Sequence, residues 1–291
     1  MDTNELATRM KMYELSTPHR IPSLMPIVVR LDGRSFSTFT KDMNRPFDTQ
    51  FHEAMCALTA FLVERTNATI GYTQSDEISL VFLNTNYKSD HLFGGRKQKI
   101  ESLLAGMASA FFMTQVQQYW PDKLVDFPHF DARAVAFPNE VEAYNCIVWR
   151  EQDATKNSVQ LLGQSYYKHS RLVLLSNKAI QHALFTEHNV NWNDLEPWQK
   201  RGTYFQQRKV DGVRCAVALD MPPITRCSNA MGVLLRGEQP AELFMSWPKP
   251  LDTNEARMED GTLASLEKRK QQVLASMGVP SDIIGANGGY K

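Results

Sequence analysis

The 291-residue sequence has little cysteine, no excess of either charge and no long apolar run. Its four cysteines are widely spaced and form no CxxC pair, which argues against a zinc module or a disulfide framework and favours reducing cytoplasm. Lys plus Arg number 32, as do Asp plus Glu, which excludes binding of nucleic acid or membranes through overall charge but leaves a local basic groove open. No run of about 18 apolar residues occurs, so we expect neither membrane spanning nor secretion.

Apolar residues are abundant enough for a folded core. Hydrophobic residues make up 43% of the chain and charged residues 22%, near the globular average, so wholesale disorder is excluded. The length corresponds to one large or two modest domains.

The first half of the chain alternates short apolar runs with helical periodicity. Asp48 is the expected N-cap of the first helix and Asn67 its end. The order is β-α-β-β-α-β, which predicts an α+β fold class with a ferredoxin-like sheet over about residues 22–138. The predicted strands are residues 26–31, 70–74, 78–83 and 129–137, and the predicted helices contain residues 51–65 and 100–112. From Glu140 onwards, longer helical segments at 140–167 and 263–277 predict a second, mostly helical region.

Two acidic residues follow strands that are predicted to be neighbours. The first and third strands are central in this order, so Asp32, after the first, and Asp76, in the hairpin before the third, should meet. Such carboxylates suit Mg²⁺, and two ions about 4 Å apart would clamp a phosphoryl transfer. Gly33 offers an accessible carbonyl and Glu77 a further carboxylate. Asp-Gly after a strand and Ser-Asp in a turn also occur in ordinary turns. Two carboxylates at one sheet end, however, repel each other unless a cation compensates.

Basic residues surround this predicted site. The candidates for phosphate contacts are Arg30, Arg34, Arg45, Arg96, Lys97 and Lys99. The last three follow two glycines at the start of a helix, where cations oppose the helix dipole unless an anion binds; a solvated basic loop is the alternative. Aromatic and basic residues also mix at 166–171 and 200–209, which suits RNA contacts but is common on surfaces.

Four separated motifs resemble the tRNA(His) guanylyltransferase family. They are RLDGRSF at 30–36, SDEISLVF at 75–82, FGGRKQK at 93–99 and FDAR at 130–133, in the family's order and intervals. The resemblance implies a polymerase-like palm domain at residues 1–138 and a mostly helical, fingers-like RNA-binding region at 139–291. It also implies tRNA and nucleoside triphosphates as partners and a homotetramer.

The implied enzyme is a nucleotidyltransferase that adds nucleotides to tRNA 5′ ends in the 3′-to-5′ direction. ATP or GTP would activate a 5′-monophosphate, which the 3′-hydroxyl of an incoming nucleotide then attacks. The implied metal ligands, for two Mg²⁺ ions, are Asp32, the Gly33 carbonyl and Asp76, with Glu77 as a further catalytic carboxylate. The candidate nucleotide-binding residues are Arg34, Arg45, Ser75, Arg96, Lys99 and Asn157. Of these, Arg45 replaces the family's usual Lys.

One block departs from the family. Members specific for tRNA(His) carry His-Ile-Asn-Asn-Leu-Tyr-Asn after a Trp-Arg, whereas Trp149-Arg150 is followed by TKNSVQL at 155–161, which keeps only Asn157. The block's His is associated with recognition of the tRNA(His) anticodon. The chain is therefore expected to be closer to bacterial and archaeal relatives, which repair truncated tRNA 5′ ends by templated addition.

Two other function classes stay open from the sequence. Nucleotidyl cyclases use a similar palm with two strand-borne carboxylates and would form a cyclic product without RNA. A non-catalytic ferredoxin-like RNA-binding protein shares the strand order, but its sheet displays aromatic residues in a Gly-Phe-rich motif that residues 78–83 lack.

Overall fold

The computed structural model describes residues 19–84, 90–210 and 213–219. All of these except Val213 belong to one compact unit. The strands are β1 Ile27–Gly33, β2 Ile70–Gln74, β3 Glu77–Phe82, β4 Phe130–Ala136, β5 Thr203–Val210 and β6 Val213–Leu219. The helices are α1 Phe36–Phe39, α2 Thr49–Thr66, α3 Lys97–Tyr119, α4 Glu140–Gln164, α5 His169–Leu172, α6 Asn177–His188 and α7 Pro197–Arg201. In this part of the chain no helix is both long and apolar enough to cross a membrane.

The strands form one sheet in the order β4-β1-β3-β2-β5-β6. β1 pairs antiparallel with β3 and β4, and β2 pairs antiparallel with β3 and β5. The predicted α+β class, the βαββαβ order and the adjacency of the first and third strands are confirmed, although β1 lies second from one edge of the six-stranded sheet. β5 and β6 were missed: they extend the sheet from the region after residue 138. The helices α4 to α7 agree with the mostly helical character predicted for that region. The domain boundary at residue 138 stays a prediction. The predicted helix at 263–277 lies outside the described residues.

One face of the sheet packs against α2 and α3. Val29 and Leu31 of β1 share a buried core with Leu58 of α2 and Phe112 of α3. The capping signals act as predicted: Asp48 accepts a hydrogen bond from the Phe51 N–H at 2.8 Å, and Asn67 ends α2 in the left-handed region with φ of 55°.

Helix α4 covers the other face. Val28 of β1 and Val81 of β3 pack with Tyr144 and Ile147 of α4. Because side chains alternate along a strand, Asp32 and Glu77 lie on this same face, four residues beyond Val28 and four before Val81. The fold thus places the predicted acidic residues beside α4.

Candidate active site

The structure brings Asp32 and Asp76 together at one end of the sheet. The Gly33 N–H donates a hydrogen bond to the Asp76 carbonyl at 3.1 Å, which ties the end of β1 to the β2–β3 turn. Asp32 is directly opposite Glu77 in the β1–β3 pair. All three acidic residues line a cleft of about 350 Å³ between this sheet end and α4. Topology therefore assembles a carboxylate cluster from separate strands, as the strand order predicted.

The turn that carries Asp76 is held in an uncommon conformation. Ser75, which also lines the cleft, has φ of 53°, a region that residues other than glycine visit rarely. Such strain costs roughly 1–3 kcal/mol and is concentrated at functional sites. The Ser75 backbone thereby places two polar side chains, its own and that of Asp76, at the cleft.

Electrostatics at the cleft favour a bound cation. Burial, and to a lesser degree the neighbouring negative charge of Asp32, raises the pKa of the Asp76 carboxyl. Among the described residues, the cation that pairs with Asp32 is Arg30, whose Nη2 is 3.9 Å from Oδ2, beyond hydrogen-bond distance. The negative charge of Asp32 therefore disfavours ionisation of Asp76, and a metal ion would relieve that repulsion.

The donor set fits Mg²⁺ better than a metal that needs a closed protein cage. Within residues 19–84, 90–210 and 213–219, no group of three or more His, Cys, Asp or Glu side chains is arranged to hold a metal. A structural zinc site would require about four such ligands. Mg²⁺ takes one or two carboxylates and completes its shell with water and phosphate oxygens, which matches Asp32 and Asp76 beside an open cleft.

Glu77 is engaged by an arginine that the sequence analysis did not select. Arg150 donates from Nε to Glu77 Oε1 and from Nη2 to Oε2, both at 2.6 Å. Burial raises the pKa of Glu77, and the hydrogen bonds from Arg150 oppose that rise. A signal was available: Arg150 lies three residues after Ile147 and four before Ala154, both buried, so an arginine on the apolar side of α4 needed an acidic partner.

Amide side chains of α4 form the opposite wall. Asn157 lines the cleft, together with Gln160 and Gln164, which the sequence analysis missed. The spacing of three and four residues places them on one helix face, and that spacing is the signal that could have found them. Gln160 Nε2 donates a hydrogen bond to Asn177 Oδ1 at 2.7 Å, which fixes the side chain against α6.

Four predicted nucleotide-binding residues are not among those that line this cleft: Arg34, Arg45, Arg96 and Lys99. Arg96 Nε donates to the Phe93 carbonyl at 3.2 Å, and the Lys99 ammonium lies 5.8 Å from the centre of the Phe93 ring. Both side chains thus approach Phe93, which lies in the loop before α3. Gly95 in this loop requires its lack of a side chain, because φ is 69° and a Cβ would lie 2.4 Å from the Ile21 carbonyl oxygen. The nucleotide-binding roles stay predictions.

Comparisons with known proteins agree with this architecture. A family model described as tRNAHis guanylyltransferase (Thg1) matches residues 7–138. A bacterial tRNA(His) guanylyltransferase-like protein solved with ATP is 36% identical, with a TM-score of 0.70, over 76% of this chain and 94% of that chain. A bacterial structure solved with GTP is 32% identical, with a TM-score of 0.65 and the same coverage.

A probable tRNA(His) guanylyltransferase of Homo sapiens is 32% identical over 205 residues, which are 64% of this chain and 66% of that protein. The predicted palm-like fold and the likeness to bacterial relatives are confirmed. With that agreement over nearly the full length of a solved bacterial relative, the chain belongs to the tRNA(His) guanylyltransferase family and is a nucleotidyltransferase.

Proposed function

We propose that the protein adds nucleotides to tRNA 5′ ends in the 3′-to-5′ direction, after a nucleoside triphosphate has activated the 5′-monophosphate. The observation that carries the proposal is the meeting of Asp32 and Asp76 beside a cleft of about 350 Å³, in a chain of this family. Carboxylates and an open cleft suit an in-line displacement at phosphorus.

Asp32, Asp76 and the carbonyl of Gly33 would hold Mg²⁺. Two bound ions would supply the positive charge that stabilises the attacking and leaving oxygens of the displacement. The protein residues fix where this happens: the Gly33–Asp76 hydrogen bond sets the spacing of β1 and the turn, and Arg150 fixes the orientation of the Glu77 carboxylate beside the two aspartates.

The nucleotide and RNA would occupy the cleft and its surroundings. Solved bacterial relatives contain ATP and GTP, so we propose ATP and GTP or other nucleoside triphosphates as substrates here. Asn157 and Ser75 lie in the cleft and would contact the nucleotide there. The remaining candidates for the triphosphate, outside the cleft, are Arg34, Arg45, Arg96 and Lys99.

We further propose templated repair as the physiological reaction, because TKNSVQL stands where members specific for tRNA(His) carry their His-containing block. Residues 139–291 would present the tRNA to a palm at 1–138. Family membership also supports a homotetramer and a cytoplasmic location as proposals.

The test is extension of a tRNA that carries a 5′-monophosphate and lacks its first nucleotide, with ATP, labelled nucleotides and Mg²⁺. We expect addition of the nucleotide complementary to the opposing acceptor-stem base. Asp32→Asn and Asp76→Asn should each lower the rate by about 100-fold or more, because each removes a charge from the reacting centre. Asp126→Asn, an exposed acid distant in sequence, serves as control.

Three outcomes would contradict parts of the proposal. If no extension occurs, or if Asp76→Asn does not slow it, the proposed nucleotide addition at this site is contradicted. Addition of guanosine regardless of the opposing base replaces templated repair with tRNA(His)-type guanylylation. Formation of a cyclic nucleotide from ATP or GTP without RNA identifies a cyclase instead.

A further inference from the structure

Arg150 and Glu77 form a closely matched ion pair at the edge of the cleft. The guanidinium and the carboxylate meet through two hydrogen bonds of 2.6 Å, and their side chains are only 15% and 14% exposed. Paired bonds of this kind fix orientation as well as charge, because the planar fork of arginine matches both carboxylate oxygens. Glu77 is therefore held by α4 in one orientation.

The guanidinium is itself fixed on several sides. Its Nη1 lies 3.4 Å from Asp153 Oδ2, and its carbon lies 4.8 Å from the centre of the Trp149 ring. The next residue, Glu151, is 2% exposed and accepts a hydrogen bond from the Tyr204 hydroxyl at 2.7 Å. Consecutive residues of α4 thus bond to β3 and β5, which anchors this turn of the helix on the sheet.

The acidic residues at this sheet end differ in how closely a cation pairs with them. Glu77 has Arg150 at hydrogen-bond distance, whereas Asp32 has Arg30 only at 3.9 Å. Asp76 takes part in no ion pair among the described residues. The structure consequently offers two carboxylates, rather than three, to a cation.

We propose that Arg150 is a positioning residue that withholds Glu77 from the metal, so that Asp32 and Asp76 bind the cation as a pair. The inference rests on the proposed function, since the metal site is part of it. A third carboxylate would occupy a ligand position that phosphate oxygens need and would bind the cation more firmly, because affinity rises with the number of charged ligands. Arg150 then keeps positions open for substrate.

The test is binding of Mn²⁺ alone to the full chain, without RNA or nucleotide. Electron paramagnetic resonance of free Mn²⁺ gives the affinity, and water-proton relaxation gives the hydration of the bound ion. We expect Arg150→Gln to bind Mn²⁺ about tenfold more tightly and to lose a metal-bound water, because the released Glu77 becomes a ligand. Arg150→Gln with Glu77→Gln should return both values to those of the wild type.

Two further variants test whether the effect on Mn²⁺ binding comes from the geometry of the Arg150–Glu77 pair, from the charge of Arg150 or from a general loss of stability. Arg150→Lys keeps the charge without the planar fork, so we expect part of the hydration change to remain. Tyr204→Phe removes a neighbouring bond between α4 and the sheet without touching Glu77, so it should leave Mn²⁺ affinity and hydration unchanged. If Arg150→Gln does not fold, as judged by circular dichroism, Arg150→Lys carries the test.

Unchanged or weaker Mn²⁺ binding in the Arg150 variants would overturn the inference. Tighter binding with unchanged hydration would also overturn it, because loss of a positive charge alone explains that result. If wild-type binding is sensitive to Asp76→Asn but not to Arg150 substitution, only the inference fails. If the wild type shows no Asp76-dependent Mn²⁺ binding, the inference and the metal part of the proposed function both fail, while tRNA extension still reports on the activity.

Discussion

Asp131 of β4 lies directly opposite Asp32 of β1 in the sheet. On the same face, two residues along, Arg133 is opposite Arg30, so like charges face like charges in two successive rows. The attractive contacts run along the strands instead, with Arg133 Nε 3.8 Å from Asp131 Oδ1. This layout gathers negative charge beside the proposed metal site, and directly opposed like charges are unfavourable for the fold.

Replacing Asp131 should therefore stabilise the protein. We expect Asp131→Asn to raise the free energy of unfolding by about 0.2–1 kcal/mol at low salt, with a smaller gain at high salt because exposed charges are screened. Urea unfolding at two salt concentrations measures this, and Asp126→Asn provides the exposed control. A loss of stability, or a gain independent of salt, would show that the repulsion from Asp32 is not what the substitution relieves.

His52 should make stability depend on pH. Its ring stacks on that of Trp198 with centres 4.1 Å apart, and its Nε2 lies 3.4 Å from the Thr203 hydroxyl oxygen. Burial lowers the pKa of His52 from 6.5 to about 4. Because the folded pKa is the lower one, the unfolded chain takes up the proton first, so stability is full above about pH 6.5 and is lost as the pH falls towards about 4.

The expected loss in the free energy of unfolding is about 2 kcal/mol between pH 7 and pH 5. It comes from the roughly 1.5 pH units between the unfolded pKa of 6.5 and pH 5, at about 1.4 kcal/mol per unit. Urea unfolding of wild type and His52→Phe at both pH values measures it, because phenylalanine keeps a ring against Trp198 but does not titrate. Other acids contribute equally to both proteins, so the difference isolates His52. Equal pH dependence in the two would contradict the assignment.

The parts of the site that the sequence predicted are those that local signals and topology determine. Asp32 comes directly after the apolar run of β1 and Asp76 directly precedes β3, and the pairing of β1 with β3 then brings them to one sheet end. The partner of Arg150 could not be assigned in this way, because it depends on how α4 is rotated over the sheet. That rotation is set by contacts such as Glu151 with Tyr204, between residues distant in sequence.

Strand β5 was missed for a similar physical reason. Its sequence, TYFQQRKV, has polar residues at most positions and lacks the apolar run of a buried strand. Tyr204 and Phe205 are nonetheless buried, because β5 pairs with β2 and its side chains pack on opposite faces of the sheet. Burial here follows from the partner strand, which the sequence of β5 does not encode by itself.

Gly33 should tolerate no side chain. A Cβ at this position would lie 2.5 Å from ring atoms of Phe36, which is 2% exposed and packs against Phe112 and Phe130. We expect Gly33→Ala to lower the free energy of unfolding by about 1–3 kcal/mol, the usual cost of overpacking. Thermal and urea unfolding measure the change.

A second glycine gives the matched control. A Cβ at Gly106, within α3, meets nothing within 4 Å, so Gly106→Ala should instead stabilise by about 0.5–1 kcal/mol through helix propensity. Opposite signs for the two substitutions support the packing argument. Similar effects at both positions would indicate that the Phe36 ring moves aside without cost.

Arg96 should affect stability and nucleotide binding in opposite directions. It precedes α3 directly, and the first turn of that helix contains no acidic residue and has no side-chain cap. A cation there opposes the helix dipole, so Arg96→Gln should raise the free energy of unfolding by about 0.3–1 kcal/mol. If Arg96 binds the triphosphate as proposed, the same substitution should raise the KM for the nucleotide about tenfold, the loss expected for a charged hydrogen bond.

Arg65→Gln, at the last turn of α2 where a cation is favourable, should slightly destabilise the protein and leave the KM unchanged. Greater stability of Arg96→Gln with an unchanged KM would assign the loop before α3 to solvent and would remove Arg96 from the nucleotide site.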